Sequence, residues 1–484
     1  MNWPHQDAAL DKIDAAIGAG ERKIVVTIPT GGGKTRAMLV LAKAFLDMGK
    51  RVVLYTNRRM LLDQTSDVLI DARMDHGIRA AGYDADPDQP FQVASIQTEH
   101  SRVVERKRRD LHPADLVLVD EAHVQKERMA VAILQRHVAA GAVVVGFTAT
   151  PLDLGGFYTH LIVAATMKDL RACGAVVPAV IYGPDEPDFR EFKKLSSGKE
   201  TLKVTENDAR RAVMTPSIFG RVWQHFEEYN PRHLPSILFA AGVNESLWFA
   251  EQFTAKGVRA AHIDGEHVWL DGQLYPTGRD IRDRVLAMSK AGEVVVLCNR
   301  FVLREGIDAP WLRHAILPTI YGSLQTYLQS LGRVLRADND PETIARFGPK
   351  EQATIQDHGG HWWRFGSPNE DREWFLDQTA DMAYGIRADR IRNRKKDQPF
   401  LCPRCKRAWT RGRECRPAWG GCGYVLPQRE KHSRPVVGSD GALKLMTGDI
   451  LLPRRISRNP NGPDLWKKMY YRSLTEKGCR TFRA

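Results

Sequence analysis

Through the first 150 residues, short apolar runs alternate with stretches whose apolar positions recur at helical spacing. The runs are KIVVTI from Lys23, RVVLY from Arg51, FQVAS from Phe91, DLVLV from Asp115 and AVVVGF from Ala142, all rich in β-branched residues. TRAMLVLAKAFLDMG, from Thr35, is one of the helical stretches between them. Strand-length runs that are apolar nearly throughout suit strands buried on both faces, and helices between them predict a parallel sheet covered on both sides. The pattern restarts with SILFA from Ser236, VRAAHI from Val258, EVVVL from Glu293 and RHAIL from Arg313. Two α/β domains in tandem are therefore expected.

The boundaries follow from where the pattern breaks. A first domain is expected over 1–168. The stretch 169–232 reads as a linker or irregular insertion and the start of the second domain, being polar from Ala179 to Arg211 with Pro184 and Pro187. The second domain occupies 233–350. An aromatic and basic connecting segment follows over 351–400, then a cysteine-bearing module over 401–426 and a basic tail over 427–484. No internal repeat of solenoid length is present.

Chemistry enters at the first strand-to-helix turn. After KIVVTI come Pro29, Thr30, Gly31, Gly32, Gly33, Lys34 and Thr35. Glycines let backbone N–H groups wrap closely around phosphate oxygens, and a helix N-terminus favours negative charge. Lys34 would reach the β- and γ-phosphates of ATP, and Thr35 would place its hydroxyl on Mg²⁺. Ile28 stands where the strict pattern has its first glycine, so the loop alone could be a tight connection. Asp120-Glu121-Ala122-His123, at the end of DLVLV, decides for the nucleotide. Carboxylates at the C-terminal edge of a parallel strand lie beside such a loop. Asp120 would hold Mg²⁺, directly or through water, and Glu121 would polarise the attacking water.

Lys34-Thr35 followed by a DEAH sequence resembles motifs I and II of superfamily 2 helicases and translocases. Gln6, after Trp3-Pro4-His5, looks like the adenine-reading glutamine; TNRRMLLDQ from Thr56 and SIQT from Ser95 resemble motifs Ia and Ib; Thr148-Ala149-Thr150 is similar to motif III. ILFAAGVNES from Ile237, REGIDAP from Arg304 and QSLGRVLR from Gln329 resemble motifs IV, V and VI. The resemblance implies two tandem RecA-like parallel-sheet domains. ATP would be held by Gln6, Thr30 to Thr35, Gly306 and Asp308, with Gln329 sensing the γ-phosphate and Arg333 and Arg336 as arginine fingers. His123, Thr148 and Thr150 would couple the nucleotide to a nucleic-acid track along Arg58, Gln97, Thr98, Thr148, Asn244 and Asn299. An ATP site split between two domains makes hydrolysis depend on their closure.

Composition adds a partner and a metal. The formal net charge is +13, which favours a polyanion, and the clusters Arg106-Lys107-Arg108-Arg109, Arg390 to Lys396 and Arg454-Arg455 add local basic patches. The N-terminus lacks the charged region and apolar core of a signal peptide, and the apolar runs are too short to cross a bilayer, so a cytoplasmic, membrane-free monomer is expected. In a reducing compartment the seven cysteines read as metal ligands or free thiols. Cys402, Cys405, Cys415 and Cys422 could close a tetrahedral Zn²⁺ site in a C-terminal zinc ribbon, with His432 as a substitute for Cys415. That ribbon, preceded by IQDHGGHWWRFGSPNEDREWFL from Ile355, resembles the RadD-like helicases of bacteria and phages.

The expected function is an ATP-dependent helicase or translocase, DNA favoured, acting at branched or single-strand-containing DNA in repair or recombination. A single-strand-binding protein or other repair factor is the candidate partner. Three readings compete: the motor of a restriction or defence complex, an RNA helicase, and a nucleotide-regulated binding scaffold without catalysis. Pro187-Asp188 with Glu191-Phe192-Lys193 mimics a nuclease motif, but its gap is too short to cross between strands.

Overall fold

The structure is a computed structural model of the 484-residue chain. It describes residues 3–56, 59–83, 86–124, 128–184, 216–300, 303, 308–379, 400–401, 404, 408–409, 417, 422–425 and 443–446. Arg58, Gly306, Cys402, Cys405, Cys415, His432 and the basic runs at 390–396 and 454–455 lie outside these. The chain divides into the units Met1–Met446 and Thr447–Ala484, and everything described belongs to the first.

The first sheet is built from β1 (Lys23–Thr27), β2 (Val52–Thr56), β3 (Gly77–Arg79), β4 (Phe91–Ser95), β5 (Leu116–Val119), β6 (Val143–Thr148) and β7 (His160–Val163). Its order is β3-β4-β2-β5-β6-β1-β7, with every pairing parallel. Because side chains alternate along a strand, each run feeds both faces. Ile24, Val26, Leu54, Leu118 and Phe147 pack into one core, while Val25, Val53, Tyr55, Val117 and Val144 pack into the other. That double burial is why the runs read as continuously apolar.

The second sheet contains β8 (Ala179–Gly183), β9 (Ser236–Phe239), β10 (Ala260–Ile263), β11 (His267–Leu270), β12 (Gln273–Pro276), β13 (Val296–Asn299), β14 (His314–Leu317) and β15 (Ala353–Asp357). The short pieces β16 (Phe400–Leu401) and β17 (Ala408–Trp409) pair with one another, and β18 (Lys444–Leu445) closes the second sheet on β8. The order is β12-β11-β10-β13-β9-β14-β15-β8-β18. Here β11, β12 and β18 run antiparallel to their neighbours. An aromatic core of Phe219, Phe226, Phe249 and Phe253 packs against Leu238, Val296 and Ile316.

Two strands fall outside the bounds read from the sequence. β8 lies in the stretch taken as linker, and β15 in the one taken as connecting segment, yet both sit inside the second sheet. Among the described residues, no helix is long and apolar enough to cross a membrane.

Candidate active site

The expected site residues gather at the C-terminal edges of the parallel strands, where loops can converge on a ligand. The turn after β1 enters the helix Lys34–Asp47, whose N-cap is Gly33. Gly31 and Gly33 take φ of +94° and +75°, conformations that side chains resist. Space is also closed: a Cβ on Gly32 would stand 2.5 Å from Ile28 Cγ2, and one on Gly33 would overlap the Gln6 amide. The loop is thus a bare backbone cradle backed by packed side chains, which fits a phosphate chain.

Lys34 Nζ lies 3.6 Å from Glu121 Oε1. Asp120 directly follows β5, and its Oδ1 accepts the Glu121 N–H at 2.9 Å. Burial, reinforced by the Glu121 charge, pushes the Asp120 carboxyl above the usual carboxylate range. For Glu121 burial acts in the same upward direction, but Lys34, His123 and Arg333 outweigh it and hold the carboxyl below that range. Neighbouring acids thereby divide their roles, one staying ionised to orient water while the other gains from a cation. A Mg²⁺ held by few protein groups and completed by phosphates and water suits Thr35, exposed in the first helical turn, together with Asp120.

His123 joins the halves of the site. Its Nδ1 lies 2.9 Å from Thr148 Oγ1 and 3.3 Å from Glu121 Oε2. Its Nε2 lies 3.4 Å from the amide nitrogen of Gln329, in the second domain. An amide that donates to Nε2 places the ring proton on Nδ1, facing Thr148 and Glu121. Thr148 Oγ1 also accepts the Thr150 N–H at 3.1 Å, and both threonines are buried.

Gln329 and Arg333 lie on the helix Leu324–Val334. This helix seats directly on the phosphate loop, since a Cβ on Gly332 would overlap Thr30. Just past the helix, Arg336 forms an ion pair with Asp308, and its Cγ lies 3.6 Å from the place a Gly31 Cβ would take. Val177 N–H donates to Leu335 C=O at 2.8 Å, fixing this end of the helix to the segment that leads into β8. One seam therefore brings together Lys34, Glu121, His123, Gln329, Arg333 and Arg336.

Residues 2–153 match the family described as Type III restriction enzyme, res subunit, and residues 227–338 match the helicase conserved C-terminal domain. The chain belongs to helicase superfamily 2. It carries the ATP-dependent helicase core of that superfamily, and the paired sheets are its two α/β lobes. This superfamily 2 chain is 23% identical over 467 residues to a 51.5 kDa protein of Lactococcus phage (isolate 7-9), covering 94% of the chain and 90% of the phage protein. It is 25% identical over 354 residues to a Saccharomyces cerevisiae protein, IRC3, assigned as an ATP-dependent helicase, covering 69% of the chain and 49% of IRC3. The chain thus spans about half the length of that yeast relative. In fold it is similar to the ATP-dependent Type ISP restriction-modification enzyme LlaBIII bound to DNA, with a TM-score of 0.52 at 16% identity, covering 80% of the chain and 29% of that enzyme.

Two residues expected to contact ligands are buried in this helicase. Asn299, expected on the nucleic-acid track, is fully buried at the end of β13; its amide donates to Leu238 C=O at 3.1 Å and accepts from Leu303 N–H at 3.4 Å. It braces the strand end from inside. Gln6, expected to read adenine, is 1% exposed. Its amide nitrogen donates to Gly33 C=O at 3.1 Å and its oxygen accepts from Trp3 N–H at 2.9 Å. It holds the phosphate loop in shape, helped by His5, whose Nε2 lies 2.8 Å from Gly32 O.

Gln97 and Asn244 are exposed beyond β4 and β9, and Thr98 is half-buried beside Gln97. Among the described residues no cluster of three or more His, Cys, Asp or Glu side chains is arranged to hold a metal; of the four expected zinc ligands only Cys422 is described, and it is half-buried. Sequence reasoning did not single out Asn369. Its side chain donates to Ala179 C=O at 2.9 Å and accepts from Ala179 N–H at 2.8 Å. A residue that pairs with a distant strand backbone leaves no periodic or spacing signal.

Proposed function

We propose that the chain is a DNA-dependent ATPase that moves along or opens DNA with single-stranded or branched character, in repair or recombination. One observation carries the reading: the helix bearing Gln329 and Arg333 rests on the loop bearing Lys34, so the groups needed to bind ATP and to stabilise transferring charge share one seam. ATP would supply the scissile phosphoanhydride, and Mg²⁺ held by Thr35 and Asp120 would neutralise phosphate charge. Lys34 and the loop backbone bind the phosphates, Glu121 orients water, and Arg333 and Arg336 meet charge that develops on the leaving side.

A nucleic-acid partner suits the net charge of +13, and exposed Gln97 and Asn244, expected on its track, follow β4 and β9. A zinc ribbon of the RadD-like kind, held by Cys402, Cys405, Cys415 and Cys422, is part of the same reading. The β16–β17 pair brackets the first two of these cysteines in sequence, and about one zinc per chain is expected by elemental analysis. A second reading, the motor of a restriction or defence complex, is favoured by the family match over residues 2–153.

The test is ATP turnover compared across single-stranded, duplex, forked and RNA ligands. Stimulation by single-stranded or forked DNA, abolished in Lys34→Ala, supports the proposal. Preference for intact duplex points to the restriction motor, preference for RNA to an RNA helicase, and absence of any turnover to a binding scaffold.

A further inference from the structure

Lys350 follows the short helix Pro341–Phe347 and is 8% exposed. Its ammonium nitrogen donates to Arg336 C=O at 2.6 Å and to Pro310 C=O at 2.8 Å. These two carbonyls belong to the two segments that face one another across an ion pair: Arg336 closes QSLGRVLR, and Pro310 closes REGIDAP, whose Asp308 receives the Arg336 guanidinium. One side chain therefore ties together the main chains that present both partners.

The lysine is itself held in place. Buried Arg313 donates to Asp338 Oδ2 at 3.1 Å and to Gly348 C=O at 2.8 Å, two residues before Lys350. Asp338 also accepts the Thr343 hydroxyl at 2.8 Å. Burying an ammonium group is unfavourable, and burial, with Arg313 acting the same way, lowers the Lys350 pKa to about 7. An apolar side chain would fill this space without that penalty, but it would take the ammonium donor from two partly buried carbonyls.

We propose that Lys350 is a positioning residue for ATP hydrolysis, which sets Arg336 against the phosphate loop by locking the carbonyls of Arg336 and Pro310 together. The inference rests on the reading of Arg336 as a group that acts in hydrolysis. It assigns the lysine an effect on turnover that ATP affinity does not share, because Lys350 touches neither the loop nor Lys34 in the contacts just described.

The experiment measures kcat of the full chain with saturating single-stranded DNA, binding of a fluorescent ATP analogue, and Tm, for Lys350→Met, Lys350→Arg, Arg336→Ala and the Lys350→Met/Arg336→Ala pair. Lys350→Met is expected to lower kcat by roughly tenfold or more while analogue affinity stays within about twofold. Lys350→Arg, whose guanidinium can still donate to both carbonyls, should recover most of the loss. The paired variant should be no slower than Arg336→Ala alone, since both act through one group. Lys350→Gln, a shorter and uncharged donor, is held to the same split if the methionine variant does not fold. Normal turnover in folded Lys350→Met or Lys350→Gln, parallel loss of kcat and affinity, or additive losses in the pair overturn the proposal. Normal turnover in Arg336→Ala itself instead overturns the reading of the arginine, so the two failures are distinguishable.

Discussion

Glu121 adopts φ of +47°, a left-handed backbone that a residue with a side chain enters only when its surroundings enforce it. The enforcing contacts are specific: Asp120 accepts its N–H, Lys34 and His123 approach its carboxylate, and Arg333 adds positive charge. Strain gathered at one carboxylate between two cations points to a catalytic duty. Glu121→Gln should keep ATP binding within a few-fold and reduce kcat by about 10²–10³, because water loses its orienting charge while the phosphate cradle is untouched. Paired measurements of kcat and nucleotide affinity check this, and an unchanged kcat contradicts the role. The same scale shows where residue identity misleads. Lys34, Asp120, Glu121, Gln329 and Arg333, singled out by the spacing that phosphate chemistry demands, do meet at one seam. Gln6 and Asn299 carry the residue types expected of ligand contacts, but their amides are engaged with backbone, and no spacing rule distinguishes those uses.

At the scale of elements, the helix Leu324–Val334 is placed by an absence of side chain. Gly332 lets its backbone approach Thr30, although glycine costs a helix interior about 1 kcal/mol relative to alanine. Gly332→Ala should therefore leave Tm equal or higher while kcat falls, since the added methyl group lifts Gln329 and Arg333 from the phosphate loop. Thermal melts beside turnover assays test the split, and a variant that keeps both Tm and kcat refutes the close seating of this helix. Strands were legible where burial on both faces removed polar residues. They were missed where it did not. β15 reads ATIQD, and its Gln356 and Asp357 are wholly buried. Asp357 Oδ1 faces His361 Nδ1 at 2.5 Å, and Asp357 Oδ2 accepts the Trp362 N–H at 2.7 Å. A strand that ends in wholly buried polar side chains looks like a loop to hydropathy. β8, AVIYG between Pro178 and Pro184, has half-buried alternate positions and prolines on both sides, so its punctuation resembled a linker.

Within the unit Met1–Met446, the segment 367–378 runs from the second sheet to the first. Asn369 grips both backbone groups of Ala179 in β8, and its own carbonyl accepts from Arg171 at 3.0 Å. Asp371 accepts the Lys168 N–H at 2.9 Å, Leu376 packs against the first domain's core, and Gln378 C=O accepts the Asp153 N–H at 2.9 Å. This strap and the helix on the phosphate loop are two separate ties across the seam. A double change, Asn369→Ala with Asp371→Ala, should weaken cooperation between the lobes, so that thermal unfolding broadens or splits into two steps. Calorimetry decides, and a single transition at the original temperature shows that the strap adds nothing. The strap's sequence was noticed only as part of a family resemblance. Its mechanical role depends on contacts nearly 200 positions apart, which no local pattern encodes.

In the proposed mechanism the nucleotide site is completed from both lobes. Single-turnover ATP hydrolysis by Arg333→Ala, with ATP affinity measured on the same preparation, tests it most directly. A guanidinium that acts on the transition state from the opposite lobe should, when removed, slow the chemical step by about 10³ or more and leave affinity nearly unchanged. Hydrolysis at the original rate, or equal losses in rate and affinity, would contradict the site at the seam.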